Sequence, residues 1–170
     1  ARAAKGGSLD DVIASAQNVV NRTKSICVGL EPCVIPALGH SNFKIEDGTM
    51  EFGVGHHGEA GTKVEKLKSA SEMAQEMAET ILNDFDFEEG KEVAVMLSGL
   101  GATPVMELYV LYDEVEKVLA KAGHKVWKTY IGNYVTSLDM NGASLTIVDL
   151  DDEIKELLSE PAVPIGMKNY

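Results

Sequence analysis

The apolar positions of the chain switch between a helical and a strand-like rhythm, and that rhythm lays out its elements. Ser8 followed by Asp11 offers an N-cap and a first-turn acid for a helix from Leu9 to about Asn21. The run SICVGL, residues 25–30, predicts a short buried strand closed by Glu31-Pro32. A loop rich in Pro, Gly, His and Asn then reaches Asp47-Gly48, a turn signal. After it Met50-Glu51-Phe52-Gly53-Val54 alternates as a second short strand. The locally basic segment Lys63–Lys68 predicts a solvated linker into the next helix. Ser69 and Glu72 form a capping-box pattern, and Met73, Ala74, Met77, Ala78, Ile81 and Leu82 make one apolar helical face.

EVAVMLSGL, residues 92–100, is nearly continuous in apolar character and predicts an interior strand. Thr103 as N-cap and Pro104 at the first helical position open a long helix. Its core face is Leu108, Leu111, Tyr112, Val115, Val118 and Leu119, and Gly123 stops it. KVWKTYIGNY and ASLTIVDL predict two more strands, an antiparallel pair joined through Asp139–Gly142. A last helix, Asp152 to Ser159, ends before Pro161. Helices packed on one mixed sheet follow from this order: an α/β two-layer sandwich, a mixed β-sheet covered by helices.

Composition narrows the functional classes. At 170 residues and 45% hydrophobic, the chain fits one domain, or one domain plus a fragment of another, with enough apolar residues for a core. A net charge of −12 argues against nucleic acid, which needs clustered Lys and Arg. No apolar run reaches the length of a membrane span, and no secretory signal pattern is present. Cys27 and Cys33 match neither a disulfide framework nor a zinc motif, so reduced, half-buried thiols in a cytoplasmic protein are expected. The opening ARAAKGGSLDD reads as the tail of a helix and a turn rather than a translation start, so a longer protein is expected.

The chemistry concentrates in MEFGVGHHGEAG, residues 50–61, where His56 and His57 lie among Gly53, Gly55, Gly58 and Gly61. So many glycines let something approach the backbone where a strand runs into a turn. Adjacent residues on an extended chain point to opposite faces, and no ligand spacing surrounds the pair, so no metal is expected. His40 and His124 are read as surface or loop histidines. SGLGATP follows a strand and opens a helix, but Pro104 stands where a dinucleotide fingerprint needs its third glycine. Two readings stand there: a packing turn, or a glycine turn beside a ligand. YVTSLDMNG gathers Thr136, Ser137 and Asp139 in a loop, and turn preference alone accounts for them.

MEFGVGHHGEAG, GLGATPVMELY and IGNYVTSLDMNG, in this order, resemble the dihydroxyacetone kinase K subunit over nearly the whole chain. The resemblance implies the C-terminal, histidine-bearing half of that subunit: residues 1–160 as the domain, 161–170 as a tail, and the N-terminal half absent. The family's Gly-x-His-Gly-Glu-x-Gly motif aligns its ligand-binding histidine with His57, and His56 and Ala60 depart from the usual aliphatic residue and proline. It implies His57 as covalent anchor of dihydroxyacetone, held as a hemiaminal, with Gly55, Gly58 and His56 binding the substrate. Glu59 is either the partner that orients His57 or a surface acid.

The chemistry suits the residue, since a neutral imidazole nitrogen is nucleophilic and histidine's ordinary pKa, about 6.5, leaves it largely neutral near pH 7. A covalent bond also selects by reactivity, because glycerol has no carbonyl to attack. The implied partners are the N-terminal half, a nucleotide-carrying L subunit and a second copy in a homodimer. This chain is expected to bind no cofactor itself. Phosphoryl would come from ATP or through the L subunit, in a relay or directly. The alternatives are a non-catalytic, dihydroxyacetone-sensing regulatory paralogue and a dimerisation module.

Overall fold

In the computed structural model, residues 1–41, 43–57, 59–84, 90–162 and 166 are described. The chain forms helix α1 (Leu9–Asn21), strands β1 (Thr23–Glu31), β2 (Thr49–Phe52) and β3 (Lys63–Lys66), helix α2 (Ala70–Asn83) and strand β4 (Glu92–Gly99). Helix α3 (Val105–Lys121), strands β5 (Lys125–Gly132) and β6 (Asn141–Asp149) and helix α4 (Asp152–Ser159) complete it. The strands make one mixed sheet in the order β3-β2-β1-β6-β4-β5, the α/β architecture that the periodicity predicts.

Helix starts follow local chemistry. Ser8 with Asp11 and Ser69 with Glu72 both close reciprocal capping boxes, each satisfying orphan N–H groups of the first turn. The third long helix departs from expectation by one residue: Pro104 is the N-cap of α3, and no side chain caps it. Thr103 is instead turned inward, its hydroxyl donating to the Gly142 carbonyl (2.7 Å) and accepting the Gly142 N–H (2.8 Å).

Two further expectations are corrected. Lys63–Lys66 is not a linker but the edge strand, paired antiparallel with β2 from Thr49↔Lys66 to Phe52↔Lys63. Exposed lysines on an edge discourage further strand pairing, and Lys68 reaches back to Glu65 (2.7 Å) and Glu76 (2.5 Å). The strands β5 and β6 are not partners, because β4 lies between them, parallel to β5 and antiparallel to β6. Two apolar strands close in sequence suggest a hairpin, yet each pairs more extensively with the near-continuously apolar β4.

Alternation sorts the strand residues between two faces. Val28, Val93, Val95, Leu97, Leu145 and Ile147 pack against Ala74, Met77 and Ile81 of α2 and Leu108, Val115 and Leu119 of α3. On the opposite face Ala94 and Val148 meet Ile154 and Leu158 of α4. The rest of that face carries a smaller cluster of Cys27, Cys33, Val54, Leu100 and Met140. Both thiols are buried rather than half-buried, and both are free. This cluster floors the region where β4 ends and β6 begins.

Candidate functional site around His56 and His57

The turn after β2 is shaped by its backbone. Gly53, at φ +78, donates to the Cys27 carbonyl (2.7 Å) and swings the chain out of the sheet. Gly55 N–H donates to the Glu59 carbonyl (2.9 Å), which brings Glu59 back onto Gly55. A Cβ on Gly55 would overlap the Glu59 carboxylate, and one on Gly61 would stand 2.5 Å from the Phe52 carbonyl oxygen. The glycines thus serve close approach, as their density in the sequence suggests. Gly58 lies outside the described residues.

The two histidines occupy different environments. The His57 side chain is 89% exposed, with Nδ1 3.5 Å from Glu59 Oε1. Glu59 Oε2 also accepts the His57 backbone N–H at 3.0 Å. The Glu59 carboxyl is held below the usual range, first by its own backbone N–H and then by that of His57. His56 is half-buried, its Nδ1 3.9 Å from Cys27 Sγ. Its Nε2 is enclosed and has no hydrogen-bond partner among the described residues. Burial pushes the Cys27 thiol up to about 11, so the sulfur beside His56 carries its proton at neutral pH.

Both histidines line a pocket of about 390 Å³ with Cys33, Ile35, Thr136, Ser137 and Leu138. Three loops build it, and polar bonds tie them. Ser137 Oγ donates to the His56 carbonyl (2.6 Å), and Asp139 Oδ1 accepts the Val34 N–H (2.7 Å). Ser98, the next-to-last residue of β4, accepts the N–H groups of Tyr134 and Val135, both at 2.9 Å. Gly101, at φ +134, lies so close to the Leu138 carbonyl oxygen that a Cβ there would overlap it. The SGLGATP glycine therefore packs against the pocket-forming loop and does not itself line the pocket. The three motifs, distant in sequence, converge here.

Sequence reasoning missed Cys33, Ile35 and Leu138 as lining residues and Ser98 as an anchor. Only Ser98 left a signal, as the one hydroxyl in an otherwise apolar strand run. Asp139 and Ser137 are turn residues as expected, but they also join separate loops. His40 is exposed, as expected. His124 lies in a loop, one of the two places expected, but it is buried, just before β5 at the end of the sheet away from the pocket. Among the described residues no three His, Cys, Asp or Glu side chains gather as a metal site, and no helix is long and apolar enough to cross a membrane.

Residues 1–165 match the Dak1 domain. The chain belongs to the Dak1 domain family. It is 40% identical over 153 residues to the PTS-dependent dihydroxyacetone kinase 1, dihydroxyacetone-binding subunit DhaK, of Listeria innocua, covering 90% of this chain and 46% of that one. To a D-erythrulose kinase of Mycolicibacterium smegmatis it is 35% identical over 162 residues, covering 95% of this chain and 28% of the relative. Among solved structures, the dihydroxyacetone kinase operon co-activator Dha-DhaQ superposes with a TM-score of 0.88 at 29% identity, over 94% of this chain and 50% of that one. The Dak1 domain chain described here spans about half the length of its DhaK relatives.

Proposed function

We propose that this chain is the C-terminal, substrate-anchoring half of a dihydroxyacetone kinase subunit, with His57 as the covalent anchor. The observation that carries the reading is the exposed His57 imidazole, set at a pocket on a glycine turn with a carboxylate behind its Nδ1. A proton on Nδ1, facing Glu59, leaves the Nε2 lone pair free to attack. Nε2 bonds to the ketone carbon and the C=O π pair moves to oxygen. That oxygen takes up a proton and the Nδ1 proton is released on the Glu59 side, so a neutral hemiaminal results. Gly55 leaves room for the Glu59 side chain to fold back beside His57, and His56 forms the pocket wall behind. Anchoring the ketone orients a terminal hydroxyl for phosphoryl transfer.

Transfer itself falls to groups elsewhere: the N-terminal half of the subunit and a nucleotide- or phosphotransferase-linked donor subunit. The PTS dependence of the DhaK relatives of Listeria innocua and Lactococcus lactis supports a relay. On its own this chain holds the ketone weakly and phosphorylates nothing. A homodimer completes the proposed assembly.

The likeness to the operon co-activator supports a second reading, a regulatory paralogue that senses the same ketone. Residues outside this chain separate the two, since a sensor needs no acid-base groups for transfer. Calorimetric titration tests the anchoring shared by both readings. Heat on adding dihydroxyacetone, none on adding glycerol, and none from His57→Ala is the expected pattern. Equal binding of glycerol and dihydroxyacetone would contradict it.

A further inference from the structure

We propose that Leu138 closes the histidine pocket over the carbon chain of a bound ketose and sets the chain length it accepts, a reading that rests on the His57 adduct proposed above. Leu138, at φ 53, is the one non-glycine residue in the left-handed region among the described residues. A branched apolar side chain gains nothing locally from that conformation, and such outliers persist only where the surroundings over-determine them. The surroundings here do so. Ser137 N–H donates to the Leu100 carbonyl (2.7 Å), and Met140 N–H donates to the Ser137 carbonyl (3.0 Å). Asp139 is fixed by the Val34 N–H. Gly101, lacking a side chain, lets the Leu138 carbonyl settle against the end of β4.

The same geometry leaves the Leu138 side chain at the pocket, 56% exposed, beside His57 and Thr136. Strained backbone that delivers an apolar side chain to solvent brings the free protein no packing gain. The exposed apolar surface is covered once a ligand occupies the pocket, and the carbon chain of a ketose on His57 offers the matching surface. Covering it also keeps water from the adduct. The side chain then limits how far the ketose extends from its anchored carbon. Leu138 touches substrate in this arrangement and acts as a specificity residue, while the nucleophile remains His57.

Glycine separates the structural and functional roles of this position, because it adopts φ 53 without strain. Leu138→Gly, Leu138→Met and wild type are compared by thermal unfolding and by intact mass after incubation with dihydroxyacetone or the four-carbon ketose erythrulose. Leu138→Gly is expected to unfold no earlier than wild type. Its adduct fraction at sub-saturating dihydroxyacetone falls about five- to tenfold, as for loss of one partly covered leucine contact. Its ratio of erythrulose to dihydroxyacetone adduct rises, and Leu138→Met, still apolar and long, returns both quantities toward wild type. Unchanged adduct fraction and unchanged ratio in Leu138→Gly would overturn the assignment to Leu138 alone. Absence of any adduct in wild type, seen in the same experiment, would overturn the His57 reading and this one with it.

Discussion

A nucleophilic imidazole, the role proposed for His57, has to be reachable and aimed, and two separate features of the turn serve these conditions. The His57 side chain is 89% exposed, and Glu59 stands at Nδ1, which leaves Nε2 to the solvent side. Glu59→Gln keeps the shape and removes the charge, so adduct formation should fall only about two- to fivefold, as for other exposed electrostatic contacts. A fall of several hundredfold would give Glu59 a larger part than exposure allows. Cys27, behind His56, carries a pH signature. Its folded pKa, about 11, lies above the ordinary thiol value of 9.0, so the protonated form is favoured by folding. Its contribution to stability is complete below pH 9 and is lost as pH rises through 11. Alkylation at pH 8 should therefore label Cys27 slowly in the native protein and rapidly in denaturant. Equal rates would show that the thiol is neither buried nor shifted. At this scale the HHGE motif made both histidines legible. Their division into one exposed and one half-buried ring was not, because it depends on β1, which puts Cys27 beside His56 from 29 positions away.

At the scale of elements, periodicity located the helices well because capping and amphipathic spacing are local. Pairing is not local, and there the sequence misled. The proximity of β5 and β6 in the chain suggested a hairpin, and four polar residues in six hid β3 behind the look of a linker. Thr103 was misread for a similar reason: a threonine before proline resembles a cap, while its true partner, Gly142, is 39 residues away. Thr103→Val preserves shape and leaves the Gly142 N–H without this acceptor in a buried position. It should cost about 1–3 kcal/mol, measured as a shift in denaturant midpoint. Gly101→Ala should be worse, since the added Cβ overlaps the Leu138 carbonyl and φ +134 disfavours any side chain. A loss of more than about 2 kcal/mol is expected, with disruption of the 134–140 loop. Helix α1 shows the same limit of local patterns. Its spacing predicts a helix, but Leu9, Ile13 and Val20 are exposed while Ser15 and Asn18 face inward to Glu153 and Asp151.

For the whole molecule, the sheet divides labour between its faces. Helices α2 and α3 bury one side and supply most of the core, which leaves the end of the other side free to gather three loops. A pocket built from loops on a rigid sheet can vary without disturbing the fold. Two of its three segments were legible as motifs, and the one carrying Cys33 and Ile35 was not. Neither was their convergence, since the β4–β6 register brings Ser98 opposite Ser144 and the loops beyond them together. Under the proposed function, this chain is one half of a larger catalyst. Incubated with dihydroxyacetone and ATP, the chain alone should yield no dihydroxyacetone phosphate, and detectable turnover would show that it carries transfer groups of its own.

Carbon-13 NMR with dihydroxyacetone labelled at its carbonyl carbon tests the covalent anchor most directly, at high ketone concentration and with the His57→Ala and His56→Ala variants alongside. The account predicts a protein-bound resonance moved from the ketone region to that of a tetrahedral carbon, present in wild type and His56→Ala and missing in His57→Ala. Its absence from wild type, or its survival in His57→Ala, would contradict the central claim.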